Sequence, residues 1–122
     1  MKKTILFIDD DQRILNIGDM FIKRLGHKVL LVESGQKAID ILKENNGLGI
    51  DFILLDIMMP EVDGFGVLEF LKDSNIQIPV VLQTGVMDDN DLKKAKKLGA
   101  VDCITKPYTR KDVEYLIKKY SL

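Results

Sequence analysis

Cysteine and histidine are nearly missing from this chain: Cys103 and His27 each stand alone among 122 residues. One cysteine excludes an intrachain disulfide and fits a reducing compartment. His27 follows Gly26 and precedes an apolar stretch, so it reads as a solvent-exposed loop residue. Any chemistry that needs a histidine must therefore borrow one from another protein. Long apolar runs are missing too. Ile53-Leu54-Leu55 is typical, far below the roughly 20 residues of a membrane span. The stretch Ile5–Ile8 after Lys2 and Lys3 stops at three aspartates, too short for a signal peptide. A cytoplasmic protein without membrane contact is expected. Charge of one sign is missing as well: 18 basic residues face 19 acidic ones. That balance gives no global drive toward nucleic acid or anionic lipid, so no nucleic-acid contact is expected. There is no low-complexity segment, repeat or linker, and the length suits one domain over residues 1–122.

What is present is an alternation of two patterns. Apolar runs at Thr4–Ile8, Lys28–Val32, Phe52–Leu55, Val80–Leu82 and Asp102–Thr105 are mostly apolar at consecutive positions. Strands buried on both faces read that way. Between them, Ile14, Ile17, Phe21 and Leu25 repeat at helical spacing up to Gly26, and Ser34 caps a stretch carrying Ala38, Ile41 and Leu42. A third helix is expected from about Gly64, and a fourth after Asp88, ending at Gly99. A fifth opens on Thr109 with Asp112 three residues on, a capping pattern. Five strands and five helices imply right-handed βαβ units with helices on both faces. The economical solution is an α/β, flavodoxin-like, doubly wound parallel sheet of order 2-1-3-4-5. That order is taken from known sheets of this size rather than read from the residues. Ligands of such sheets sit outside the carboxyl ends of the strands, here between the first and third.

The carboxyl ends carry the chemistry. The first strand runs into Asp9-Asp10-Asp11, the third into Asp56, the fourth into Gln83-Thr84-Gly85, and the fifth into Thr105-Lys106-Pro107. Asp11 reads as a helix N-cap. That leaves Asp9, Asp10 and Asp56 in one crevice, where a single pair of carboxylates about 4 Å apart repels by about 4 kcal/mol at an effective dielectric near 20. Lys106 compensates once, and a cation is the better remedy for the rest. Oxygen ligands without nearby histidine or cysteine favour Mg²⁺, with Mn²⁺ as the alternative. A metal beside a lysine and the Thr84 hydroxyl suits a phosphoryl group. Asp56, ending the central strand opposite the acidic pair, is the natural in-line nucleophile.

Over nearly its whole length the chain resembles the receiver domain of two-component response regulators. The resemblance rests on Ile5–Asp11, Leu54–Pro60 with Asp63-Gly64, Gln83-Thr84-Gly85 and Thr105–Tyr108, in this order and spacing. It implies that Asp56 is the phosphoacceptor and that Asp10 is a direct metal ligand, with Asp9 reaching the metal largely through water. It implies further that the Met58 backbone carbonyl is a third protein ligand, and that Thr84 and Lys106 engage the phosphoryl group. By the same resemblance, a sensor histidine kinase or phosphotransfer protein is the donor. The face of the fourth helix, fifth strand and fifth helix would meet a downstream partner, and the chain would be a monomer or a phosphorylation-dependent dimer. One position departs from the pattern. Cys103 stands where the family usually has an aromatic ring that swings inward on activation, and a cysteine cannot make that swing. Cys103 itself reads as a small buried strand residue.

Two other classes compete. A Mg²⁺-dependent phosphatase of the haloacid-dehalogenase type wants a second aspartate two residues after the nucleophile, where Met58 stands. A degenerate receiver-fold interaction module is favoured only by Cys103. The expectation is therefore a switch, not an enzyme with turnover, whose own chemistry is limited to self-phosphorylation and autodephosphorylation. Met58 and Val86, two residues after Asp56 and Thr84, lack groups that could orient an attacking water, so slow loss of the phosphoryl group is expected. The lysines at 93, 94, 96 and 97 read as the wet face of the fourth helix. Gly64-Phe65-Gly66 starts like a dinucleotide fingerprint, but Glu69 takes the place of its third glycine.

Overall fold

The computed structural model describes residues 2–85 and 88–120. Along it run β1 (Thr4–Ile8), α1 (Gln12–Arg24), β2 (Lys28–Val32), α2 (Gly35–Asn45) and β3 (Phe52–Asp56). There follow α3 (Gly64–Asp73), β4 (Val80–Thr84), α4 (Asp89–Lys97), β5 (Asp102–Thr105) and α5 (Arg110–Tyr120). The strands pair in parallel, in the order β2-β1-β3-β4-β5. The alternating pattern implies the parallel α/β architecture, and the order is the one taken from known sheets of this size.

Successive residues of the central strands feed two separate cores, which is why their apolar runs are continuous. On one face Leu6, Ile8, Ile53, Leu55, Val80 and Leu82 meet α2 through Leu42, α3 through Val67 and Leu68, and α4 through Ala95. On the other, Ile5, Phe7, Phe52, Leu54 and Val81 meet α1 through Leu15 and Ile22, and α5 through Val113, Leu116 and Ile117. The helices begin where cap chemistry puts them. Asp11, Ser34, Asp63 and Asp88 cap α1 to α4 with side-chain oxygens accepting from backbone N–H groups in the first turn. Thr109 and Asp112 exchange hydrogen bonds at the start of α5, at 2.8 and 3.2 Å. Gly26 and Gly99, past the ends of α1 and α4, hold φ of 87° and 105°, a region that favours glycine.

Three readings need correction. β3 and β4 extend beyond the apolar residues that mark them, to Asp56 and Thr84, because the ladder pairs Asp56 with Gln83 and Thr84 with Thr105. His27 is half-buried rather than exposed. Its Nδ1 accepts a 3.0 Å hydrogen bond from the Lys3 amide, and burial lowers its pKa. It does lie at the amino end of β2, at the opposite edge from the aspartates. Cys103 is only half-buried, at the fringe of the core, and burial followed by the Asp102 charge raises its thiol pKa. The lysines of α4 are exposed as expected.

Candidate functional site

The site is assembled by register. Ile8 pairs with Leu55 across β1 and β3, so the residues that follow, Asp9 and Asp56, emerge side by side. Asp9 stays laddered, its amide donating to the Val32 carbonyl at 3.0 Å. On the other side of β3, Asp56 faces Gln83. The Lys106 amide donates to the Thr84 carbonyl at 2.8 Å, which extends the β4–β5 pairing and brings the lysine over the same edge. Gly64 opens α3 so close to β3 that a Cβ there would stand 2.7 Å from the Asp56 carbonyl oxygen. No side chain fits between that helix and the end of the strand.

Asp9 has no exposed surface, and Asp56 is 4% exposed. Asp10 is exposed. One oxygen from each of the three lies within 4.8 Å of the others. The Lys106 ammonium is 2.9 Å from Asp9 Oδ2 and 3.5 Å from Asp56 Oδ1. The other Asp9 oxygen accepts from the Asp11 amide at 2.8 Å. Both oxygens of Asp9 are thus engaged by the protein, whereas Asp10 makes no hydrogen bond or ion pair among the described residues. Burial first, and the neighbouring Asp9 charge second, push the Asp56 pKa up to about 6 against the pull of Lys106. Burial also opposes the charge on Lys106, but its hydrogen bond to Asp9 and the charge on Asp56 outweigh that, and its pKa is raised.

Every residue expected at the site among those described is near this edge. Met58 contributes its amide, 3.4 Å from Asp56 Oδ1, while its side chain is 75% exposed. Thr84 is buried as the last residue of β4. Val86 lies outside the described residues. Asp11 is set apart, as expected for a cap. It accepts from the Arg13 amide at 2.9 Å and pairs with the Arg13 guanidinium at 3.1 Å, and these contacts lower its pKa. Three close carboxylates against one ammonium, with no histidine or cysteine, are a donor set that fits a hard divalent cation. Asp9, Asp10 and Asp56 could hold it.

Two residues at this edge, named in the sequence only as members of the matching stretches, were given no role there. Gln83 is fully buried in β4. Its Oε1 accepts from the Tyr108 hydroxyl at 2.8 Å, and its Nε2 donates to the Ile8 carbonyl at 3.4 Å. Burial, reinforced by the charges of Asp9 and Asp56, holds the Tyr108 pKa far above the usual phenol value, and since the amide oxygen can only accept, the hydroxyl is the donor. The available signal was an amide directly after the apolar run Val80–Leu82, where a buried group requires a partner.

The family model for the response regulator receiver domain matches residues 5–118. The chain is similar to the response regulator SaeR of Staphylococcus aureus, with 34% identity over 109 residues, covering 89% of this chain and 46% of that protein. It therefore spans about half the length of the curated relatives it matches. Among solved structures, it is similar to a response regulator receiver domain protein from Clostridium thermocellum. There the TM-score is 0.88 and the identity 30%, covering 97% of this chain and 93% of the other. The Vibrio cholerae chemotaxis protein CheY4 shares the fold at 18% identity, with a TM-score of 0.88 and coverage of 98% and 99%.

Proposed function

The chain belongs to the response regulator receiver family, and from that premise we propose that it is a phosphorylation-controlled switch whose acceptor is Asp56. The observation that carries this reading is a buried carboxylate ending the central strand, 3.5 Å from the Lys106 ammonium and beside an acidic pair. One Asp56 oxygen attacks the phosphorus of the donor in line, forming the acyl phosphate as the bond to the leaving group breaks. Lys106 holds a phosphoryl oxygen, and the Met58 amide and the Thr84 hydroxyl engage others. Asp9, Asp10, Asp56 and the Met58 carbonyl would hold Mg²⁺, and what it would supply there is neutralisation of charge on the phosphoryl oxygens.

The donor is a phosphohistidine of a sensor kinase or phosphotransfer protein, because His27 lies at the far edge of the sheet. The chemistry stops at the chain's own modification and its slow reversal, without turnover of other substrates. The downstream partner meets the face of α4, β5 and α5. Tyr115 and Val101 are accessible there and Lys93 and Lys96 of α4 are exposed, whereas Lys94 turns to α3, its ammonium 4.4 Å from the Phe65 ring centroid. No described helix is long and apolar enough to cross a membrane.

Incubation with acetyl phosphate and Mg²⁺ tests the reading by intact mass. The expected result is addition of one phosphoryl group that requires Mg²⁺ and is lost in Asp56→Asn. Modification that persists in Asp56→Asn, or none in the wild-type protein, overturns it.

A further inference from the structure

We propose that Gln83 and Tyr108 are positioning residues that set where the Lys106 ammonium stands over the acidic pair; the functional half of this proposal rests on the phosphoacceptor reading above. They do so through a circuit of hydrogen and covalent bonds. Tyr108, two residues past Lys106, donates to Gln83 Oε1 at 2.8 Å. Gln83 Nε2 donates to the Ile8 carbonyl at 3.4 Å. The next residue after Ile8 is Asp9, and Asp9 Oδ2 receives the Lys106 ammonium at 2.9 Å. The path leaves Lys106 along the main chain and returns to it through β4 and β1.

Three features argue that this is more than filling. A primary amide buried without partners is strongly destabilising, so a fully buried Gln83 implies that both its ends are used. The orientation of the amide is forced. The Ile8 carbonyl can only accept, which assigns Nε2 to β1 and leaves Oε1 for the Tyr108 hydroxyl. Finally, Gln83 adjoins Thr84, whose carbonyl already takes the Lys106 amide at 2.8 Å. The turn from β5 into α5 is therefore tied to β4 on both sides of the lysine, by backbone before it and by side chain after it. With the side-chain tie removed, the Thr84–Lys106 bond becomes a hinge and the ammonium swings with the turn.

The decisive variant is Gln83→Leu/Tyr108→Phe, which removes both polar partners together and leaves no orphaned amide. Thermal unfolding checks that it folds. Hydrogen exchange of the Lys106 amide, which donates to the Thr84 carbonyl, referred to the core amide of Ile53 and measured without Mg²⁺, reads the position of the turn. Exchange at the turn should rise about tenfold relative to Ile53, and the rate of Mg²⁺-dependent phosphorylation by acetyl phosphate should fall about tenfold. Tyr108→Phe alone should move both readouts the same way, and it serves if the double variant does not fold. Unchanged exchange in a folded variant overturns the circuit. Raised exchange with an unchanged phosphorylation rate overturns the positioning role. If the wild-type protein takes no phosphoryl group at all, the acceptor reading fails, while exchange still decides the circuit.

Discussion

A carboxylate that ends a fully buried strand has little water to stabilise its charge, and Asp56 is 4% exposed with Asp9 beside it. Its pKa of about 6 in the folded protein, against an ordinary 3.8, makes stability fall as pH rises through that interval. Below about 3.8 the group is protonated in both states and costs nothing. Between the two values the folded protein keeps a proton that the unfolded chain releases. Above about 6 the cost of the charge is fully present. Asp56→Asn should therefore stabilise the metal-free protein at pH 7.5 by roughly 1–3 kcal/mol, and the gain should vanish near pH 4. Urea unfolding at the two pH values checks this, and equal stability at pH 7.5 would sink it. Legibility at this scale was uneven. Asp9, Asp10, Asp56, Thr84 and Lys106 were visible because each lies at or just past the carboxyl end of a recognisable strand. The Gln83–Tyr108 bond was not, because its partners are 25 residues apart and only the fold makes them neighbours. His27 looked exposed from its loop position, and the 3.0 Å bond it accepts from Lys3 comes from a segment with no local relation to it.

At the scale of the element, the periodic residues named each helix and strand, and cap residues fixed where helices start. Strand ends were harder to read. Apolarity stops at Leu55 and Leu82, but backbone pairing continues through Asp56, Gln83 and Thr84, since a ladder is made by main-chain groups whatever side chains they carry. The buried face of α1 holds a second feature that periodicity does not reveal. Gly18 sits inside the helix, where glycine is unfavourable relative to alanine by about 1 kcal/mol. A Cβ there would lie 1.7 Å from Phe7 Cε2, and Phe7 is fully buried in β1. The missing side chain is what lets α1 lie down on the strand that delivers Asp9. Gly18→Ala should thus lower stability by about 1–3 kcal/mol through overpacking, the reverse of its effect on an exposed helix. A urea midpoint equal to or above that of the wild type would show that Phe7 has room to move.

For the molecule as a whole, the order β2-β1-β3-β4-β5 puts the reversal of strand order between β1 and β3, and that is where three carboxylates meet one ammonium. The rest of the surface is nearly balanced in charge, so the electrostatic stress of the fold is local. A divalent cation bound there relieves it only in the folded state, because the three oxygens come within 4.8 Å through pairing of segments far apart in the chain. Binding to the native state alone must raise stability, by about 2.7 kcal/mol when the ion is at a hundred times its dissociation constant. The Mg²⁺-dependent rise in unfolding temperature should be larger at pH 8 than at pH 5, since below about 6 the proton on Asp56 competes with the metal. Asp10→Asn separates this effect from general salt stabilisation. Asp10 is exposed and has no hydrogen-bond or ion-pair partner among the described residues, so its replacement should leave the metal-free protein as stable as before or more so. The Mg²⁺-dependent gain should then largely disappear. An equal gain in wild-type and Asp10→Asn proteins, measured at constant ionic strength, would remove Asp10 from the proposed metal site and leave the cation to Asp9, Asp56 and the Met58 carbonyl.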